Sequence, residues 1–236
     1  MIVTGVLVAV ALNGWYQRQQ DARNQATYLA LLSRDIGQTT LQLEEKAAFE
    51  AAQLRDGVAA YRALSASVRP ANTAEVGAAL RKLVDRRTMA LLDATYQDLL
   101  STGNLRLIRN RRLRDQIVEF YGTTSAEYEI MNKNNAFFVD EMYNSLVIGK
   151  GLVKPSGASN LTVLSAVDAE LRPLLRAGFV DEPDYLWSLP AGAPEWAQLK
   201  STLLIRIFTA ANSKQSAQRA LARTRALSTA LEAERK

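Results

Sequence analysis

No proline interrupts the chain between Gln17 and Ala66, and glycine appears there only at Gly37 and Gly57. A stretch of that length without a strong breaker has one ready outcome, a long helix. Apolar or small residues recur along it at Leu29, Leu32, Ile36, Thr39, Leu43, Ala47, Leu54, Val58, Tyr61 and Val68. The steps are threes, fours and sevens, which is the seam of a packed helix. Pro70 ends it. Much of the rest is written in Ala, Leu, Glu, Gln and Arg, with hydrophobic residues at 48% and aromatics at only 7%. That vocabulary predicts an all-α fold with enough apolar material for a sizeable core.

Three further helices follow from local signals. Asn72 stands three residues before Glu75, a variant of the capping box. The helix it opens is expected to run through Leu80, Leu83, Val84, Leu91, Leu92, Tyr96 and Leu99, with a kink near Arg86–Thr88. Gly103 is placed as a helix-terminating glycine and Asn110 as the cap of the next helix. The apolar positions of that helix are Leu113, Ile117, Phe120, Tyr121, Tyr128, Met131, Phe138, Met142 and Leu146. Residues 149–160 are turn-rich, Leu161–Ala177 reads as a short helix, and Phe179–Pro194 carries Pro183, Pro190 and Pro194. Pro194 is then the first residue of a last helix, with a stripe of Trp196, Leu199, Leu203, Ile207, Ala210, Ala217, Leu221 and Leu231. The expected architecture is an antiparallel four-helix bundle over residues 18–236, with an irregular insertion at 149–193 before the last helix.

The chain starts MIVTGVLVAVALNGWYQRQQ, and Arg18 is its first charged side chain. As a helix, residues 1–17 would span about 25 Å against a hydrocarbon core of about 30 Å. Gly5, Ala9 and Leu12 offer a small-residue packing face, and Trp15 with Tyr16 an interfacial aromatic pair. This predicts a transmembrane anchor running straight into the bundle. A signal peptide and the buried start of a helix are the rival readings, and the first lacks a basic leader.

The composition excludes much chemistry. There is no Cys and no His. Disulfides, thiolate nucleophiles, ordinary catalytic triads and the usual zinc sites are therefore absent. Neither a phosphate-binding glycine loop nor a metal-spaced acidic motif occurs, so no cofactor, metal or catalytic residue is expected. Glu44, Glu45 and Glu50, with Lys46 among them, and Glu119, Glu127, Glu129, Asp140 and Glu141 read as solvated faces. Asn132, Asn134 and Asn135, between Met131 and the Phe137–Phe138 pair, are read as solvent-facing. Setting register or lining a small pocket is the alternative. The net charge is +5 and the sequence pI about 9.5. Only Arg106–Arg114 is densely basic, without the interleaved aromatics of a nucleic-acid module.

Two stretches together resemble a family of bacterial membrane-anchored proteins known only as a domain of unknown function. GVLVAVALNGWYQRQQ resembles the family's membrane-helix ending, G-I-L-I-A-L-x-I-x-x-W-N. TYQDLLSTGNLRLIRNRRLRDQIVEFY resembles its Y-x-x-L-x-S-x-G-x-L-x-x-I-x-N-x-x-L-R motif, here Tyr96, Leu99, Ser101, Gly103, Leu105, Ile108, Asn110, Leu113 and Arg114, then Phe120 and Tyr121. The resemblance implies a single-pass protein of the bacterial inner membrane, with the helical domain outside the cytoplasm. It also implies a basic, apolar segment upstream, so that the anchor is incomplete at Met1. Taken alone, Arg18, Arg23 and Arg34 after the span point to the opposite topology.

The motif reads structurally as a helix–loop–helix corner. Read functionally, Arg106, Arg109, Arg111 and Arg112 beside a helix start form a candidate anion or partner site. The expected function is non-enzymatic protein–protein contact, as an accessory subunit of a larger membrane assembly or by self-association. An extracytoplasmic ligand-sensing bundle is the alternative, and a carboxylate-based hydrolase the third reading. Lys214, Arg219, Arg223 and Arg225, with Arg18 and Arg23, are expected either to meet anionic lipid headgroups or to line a solvated face. Nucleic acid is not expected as a partner.

Overall fold

A computed structural model describes the backbone of residues 2–66, 70–153 and 184–235, with side chains from Ala11 onward. Every regular element among them is helical, as the composition predicts. Helix α1 covers Ile2–Ser65, α2 Thr73–Lys82, α3 Ala94–Ser101, α4 Arg111–Asn134 and α5 Pro194–Glu234. A π-helical stretch, Asn135–Gly149, continues α4, and two short 3₁₀ turns lie at Asn104–Leu107 and Tyr185–Ser188. The predicted Leu161–Ala177 helix falls outside the described residues, as do the side chains of Gly5 and Ala9.

The unbroken α1 follows from the missing proline, and α5 starts on Pro194 as expected. The cap at Asn72 also forms, its side-chain oxygen accepting from the Glu75 amide at 3.2 Å. The helix predicted through Leu80–Leu99 does not form as one piece. It is two short helices joined by an irregular strap, because the carbonyls after Leu83 are taken by side chains of other helices (described below).

The transmembrane anchor over residues 1–17 and the single-pass inner-membrane location are overturned. Among the described residues no helix is long and apolar enough to cross a membrane. The physical reason is that uncharged is not apolar. The apolar run ends at Leu12, after about 17 Å of helix. Asn13, Gln17, Arg18, Gln19 and Gln20 follow within two turns.

The chain divides into two compact units. The first comprises Met1–Glu45, Ala90–Tyr128 and Ala217–Lys236. Its core packs Leu29, Leu32 and Ile36 of α1 against Tyr96 and Leu99 of α3, Leu113, Ile117, Phe120 and Tyr121 of α4, and Leu227 and Leu231 of α5. Each such side chain, fully buried, contributes about 1.5–3 kcal/mol. The Tyr96 and Tyr121 rings stack in parallel with centroids 4.3 Å apart. Thr95 donates to the carboxylate of Asp35, which is buried in the same seam.

The second unit comprises Lys46–Met89 and Glu129–Ser216. Ala60, Val76, Leu80, Leu83, Tyr143, Leu146, Val147, Leu152, Leu186, Leu199 and Leu203 form its core. The Leu186 amide donates to Leu152 O at 2.9 Å, and Asp184 accepts both 2.9 Å bonds of the Arg81 guanidinium.

Candidate functional site

In the first unit the Tyr96–Arg114 motif builds a corner. Helix α3 ends at Ser101, and Gly103 has φ +68°, the left-handed conformation that glycine adopts without a Cβ clash. One 3₁₀ turn follows. Asn110 then accepts from the Leu113 amide at 3.2 Å and opens α4, so its capping role is realised. Ile108 and Leu113 are fully buried, Tyr96 nearly so, and Leu105 packs against the same core. Ser101 is exposed and donates to Asp98 O, and Arg114 is half-buried. Leu105 and Ile108 therefore plug the core while the polar members of the motif fix the turn.

The four arginines that punctuate this corner, Arg106, Arg109, Arg111 and Arg112, are all exposed. Arg111 lies 3.9 Å from Asp115 in a solvent-facing i,i+4 pair. Arg109 reaches α1, where its Nη2 donates to Arg18 O at 3.4 Å. Beside Arg18 on that helix, Leu12, Trp15 and Tyr16 are 60%, 58% and 61% exposed. Leu12 is three and four residues before the two aromatics, so all three share one face. Arg109 thus ties the basic corner to α1 within one turn of Trp15. Of the cations read as meeting either headgroups or solvent, Arg223 pairs with Glu127 and Arg225 with Glu44.

The second unit holds a polar cluster that does not behave as a solvated face. Lys46 and Arg206 are 0% exposed and Glu50 is 1% exposed. Lys46 Nζ donates to Glu50 Oε1 at 2.7 Å, and Arg206 Nη2 to Gln53 Oε1 at 3.0 Å. Burial lowers the pKa of Lys46, against the pull of Glu50, which favours the charged form.

These cations also hold the strap that follows α2. Arg206 Nε donates to Leu83 O at 2.8 Å and its Nη2 to Asp85 O at 3.1 Å. The Arg87 carbonyl accepts from Lys46 Nζ and from Asn135 Nδ2. Asn144 donates to Val84 O at 3.2 Å. Asn132 grips Met89 at both ends of its peptide group, accepting from its amide at 3.0 Å and donating to its carbonyl at 2.8 Å. Side chains from α1, from α4 with its π-helical continuation, and from α5 thus supply what a neighbouring strand would.

Asn135, expected to face solvent, is 1% exposed. Its orientation follows from the π-helical turn. Buried positions run Met131, Asn135, Val139 and Tyr143, every fourth residue, while Phe138 and Met142 turn partly outward. No group of three acidic side chains that could hold a metal forms among the described residues. Comparison with protein-family models, with curated proteins and with solved structures found no match.

Proposed function

We propose that this chain is a non-enzymatic helical protein that works by protein–protein contact, as an accessory subunit of a larger assembly. In this reading its helices are the members of an antiparallel four-helix bundle. The observation that carries it is the set of exposed aromatic and arginine side chains that the first unit carries where its corner touches α1. Exposed Trp15 and Tyr16 stand on α1 within one turn of Arg18, whose carbonyl the corner of four exposed arginines reaches through Arg109. Trp, Tyr and Arg are the side chains that most often dominate an interface, each costing about 2 kcal/mol or more when truncated at a hot spot. A partner with an acidic, partly apolar face fits it. The corner that resembles the uncharacterised family's motif is, on this proposal, the part that meets the partner.

The test is native purification of the tagged chain beside two double variants, Trp15→Ala with Tyr16→Ala and Arg109→Ala with Arg112→Ala. The wild type retains a stoichiometric partner, and each double variant loses it by tenfold or more. A wild-type chain that purifies as a partnerless monomer contradicts the proposal.

A second reading, a bundle that binds a small polar molecule, draws on three side chains of α4. The hydroxyls of Tyr121, Thr124 and Tyr128 are buried without a protein hydrogen-bond partner. Native mass spectrometry distinguishes the readings, since a bound small molecule in place of a protein partner favours this one.

A further inference from the structure

We propose that Tyr121, Thr124 and Tyr128 of α4 form a buried site in the first unit for the uncharged hydroxyl of a small molecule, either solvent water or a hydroxylated solute. The side chains are those of the second reading above, whose small polar molecule is here given its chemistry. They are three and four positions apart in sequence, so they share one face of α4. They are 2%, 0% and 3% exposed, and none of their hydroxyls has a protein hydrogen-bond partner. A hydroxyl taken from water without a new partner is costly, and buried polar groups are rarely left so. Other buried hydroxyls of this chain follow that rule. Among the described residues five threonines are buried. Thr39, Thr209 and Thr224 donate to the carbonyl four residues back, and Thr95 donates to Asp35. Thr124 alone makes no such bond.

The neighbouring helices suit such a ligand. The Arg223–Glu127 and Arg225–Glu44 pairs bring one stretch of α5 level with this part of α4 and of α1. The aliphatic core that includes Ile36 and Leu227 gives way there to Thr39 and Leu43 on α1 and to Ala220 and Thr224 on α5, all buried. Three of those four side chains are short. The Thr39 and Thr224 oxygens, having donated their protons, keep lone pairs for a further donor. Arg223 Nε is one more buried donor without a partner. A buried water takes two to four such partners. The ligand is uncharged because the ions at this level are already matched. Glu127 neutralises the Arg223 guanidinium, and Asp35, one turn before Thr39, accepts from Thr95. An entering ion would find no opposite charge to offset its lost hydration.

The test compares the full wild-type chain with a triple variant, Tyr121→Phe with Thr124→Val and Tyr128→Phe, which removes the hydroxyls and keeps the side-chain shapes. Native mass spectrometry detects a solute as a mass excess on the wild type that the variant lacks. Oxygen-17 relaxation dispersion of water detects long-lived internal water, and its amplitude falls in the variant by the share of about one molecule or more. A solute supports the site and the second reading together. Lost internal water without a solute supports the site and removes the small-molecule reading. Wild type and variant alike in both measurements overturn the proposal. Should the triple variant not fold, Thr124→Val alone is compared in the same way. Tyr143→Phe, whose hydroxyl is already bonded to Leu80 O, is the control that changes neither signal.

Discussion

Arg206 of α5 donates to Gln53 of α1 at 3.0 Å, and both occupy buried seam positions of their helices. The guanidinium also carries two carbonyls of the strap and stands 3.9 Å from Glu50. Removing it leaves Glu50 with only Lys46 and two carbonyls without their donor. Arg206→Ala is therefore expected to cost about 3–5 kcal/mol, as breaking a buried ion pair does. Arg206→Met keeps more of the volume and costs less. Urea denaturation followed by circular dichroism measures both.

Lys46 gives the second unit a pH dependence of definite sign. Burial lowers its pKa in the folded chain below the ordinary 10.5. Between the lowered value and 10.5 the unfolded chain binds more protons, so stability rises with pH through that window. Comparing urea midpoints of the wild type and Lys46→Met from pH 7 to 10 isolates the contribution. The wild type gains on the variant as pH rises. A difference that is flat or shrinks with pH contradicts the assignment.

Buried tyrosines act in the opposite direction at higher pH. Burial pushes the hydroxyls of Tyr121, Tyr128 and Tyr143 well above the usual tyrosine range. Above about pH 10 the unfolded chain ionises first and stability falls. At neutral pH the three differ. Tyr143 OH donates to Leu80 O at 3.0 Å, whereas the Tyr128 hydroxyl has no protein partner. Tyr143→Phe is expected to cost about 1–3 kcal/mol by orphaning a carbonyl, and Tyr128→Phe within about 0.5 kcal/mol of nothing. Thermal denaturation at pH 7 separates the two.

Two glycines of helix α1, Gly37 and Gly57, make a matched test. A Cβ at Gly57 would lie 2.7 Å from Ile207 Cγ1, while one at Gly37 meets nothing within 4 Å. Gly57→Ala is expected to destabilise by about 1–3 kcal/mol through overpacking. Gly37→Ala is expected to stabilise by about 0.5–1 kcal/mol, because alanine loses less entropy in a helix. Urea midpoints of the two variants should fall on opposite sides of the wild type.

The helices were legible because their signals are local: a long absence of proline, Asn72 and Asn110 before helix starts, Gly103 after a helix end. The polar cluster was not, because reading only apolar residues slips the phase of the seam. The buried positions of α1 run Leu43, Lys46, Glu50, Gln53, Gly57 and Ala60 in alternating threes and fours. Following hydrophobicity instead leads to Ala47, Leu54 and Val58, one residue off. The same slip replaces Arg206 by Ile207 on α5, where Leu199, Leu203, Arg206, Ala210 and Ser213 keep the alternation. Holding the heptad fixed would have placed all four polar residues inside, as the period of a packed helix requires. The strap had no comparable signal, since the donors that unwind it come from residues 41 to 123 positions away. The membrane reading failed on a simpler point, the polar but uncharged Asn13 and Gln17 within the run.

The central claim is that the aromatic end of α1 and the arginine corner meet a protein partner. Photo-crosslinking residues placed in the cell at Tyr16, at Arg109 and, as a control, at the equally exposed Leu41 test it most directly. The account predicts adducts of one and the same partner at positions 16 and 109, and none at 41. No adduct at 16 and 109, or the same adducts at 41, would contradict it.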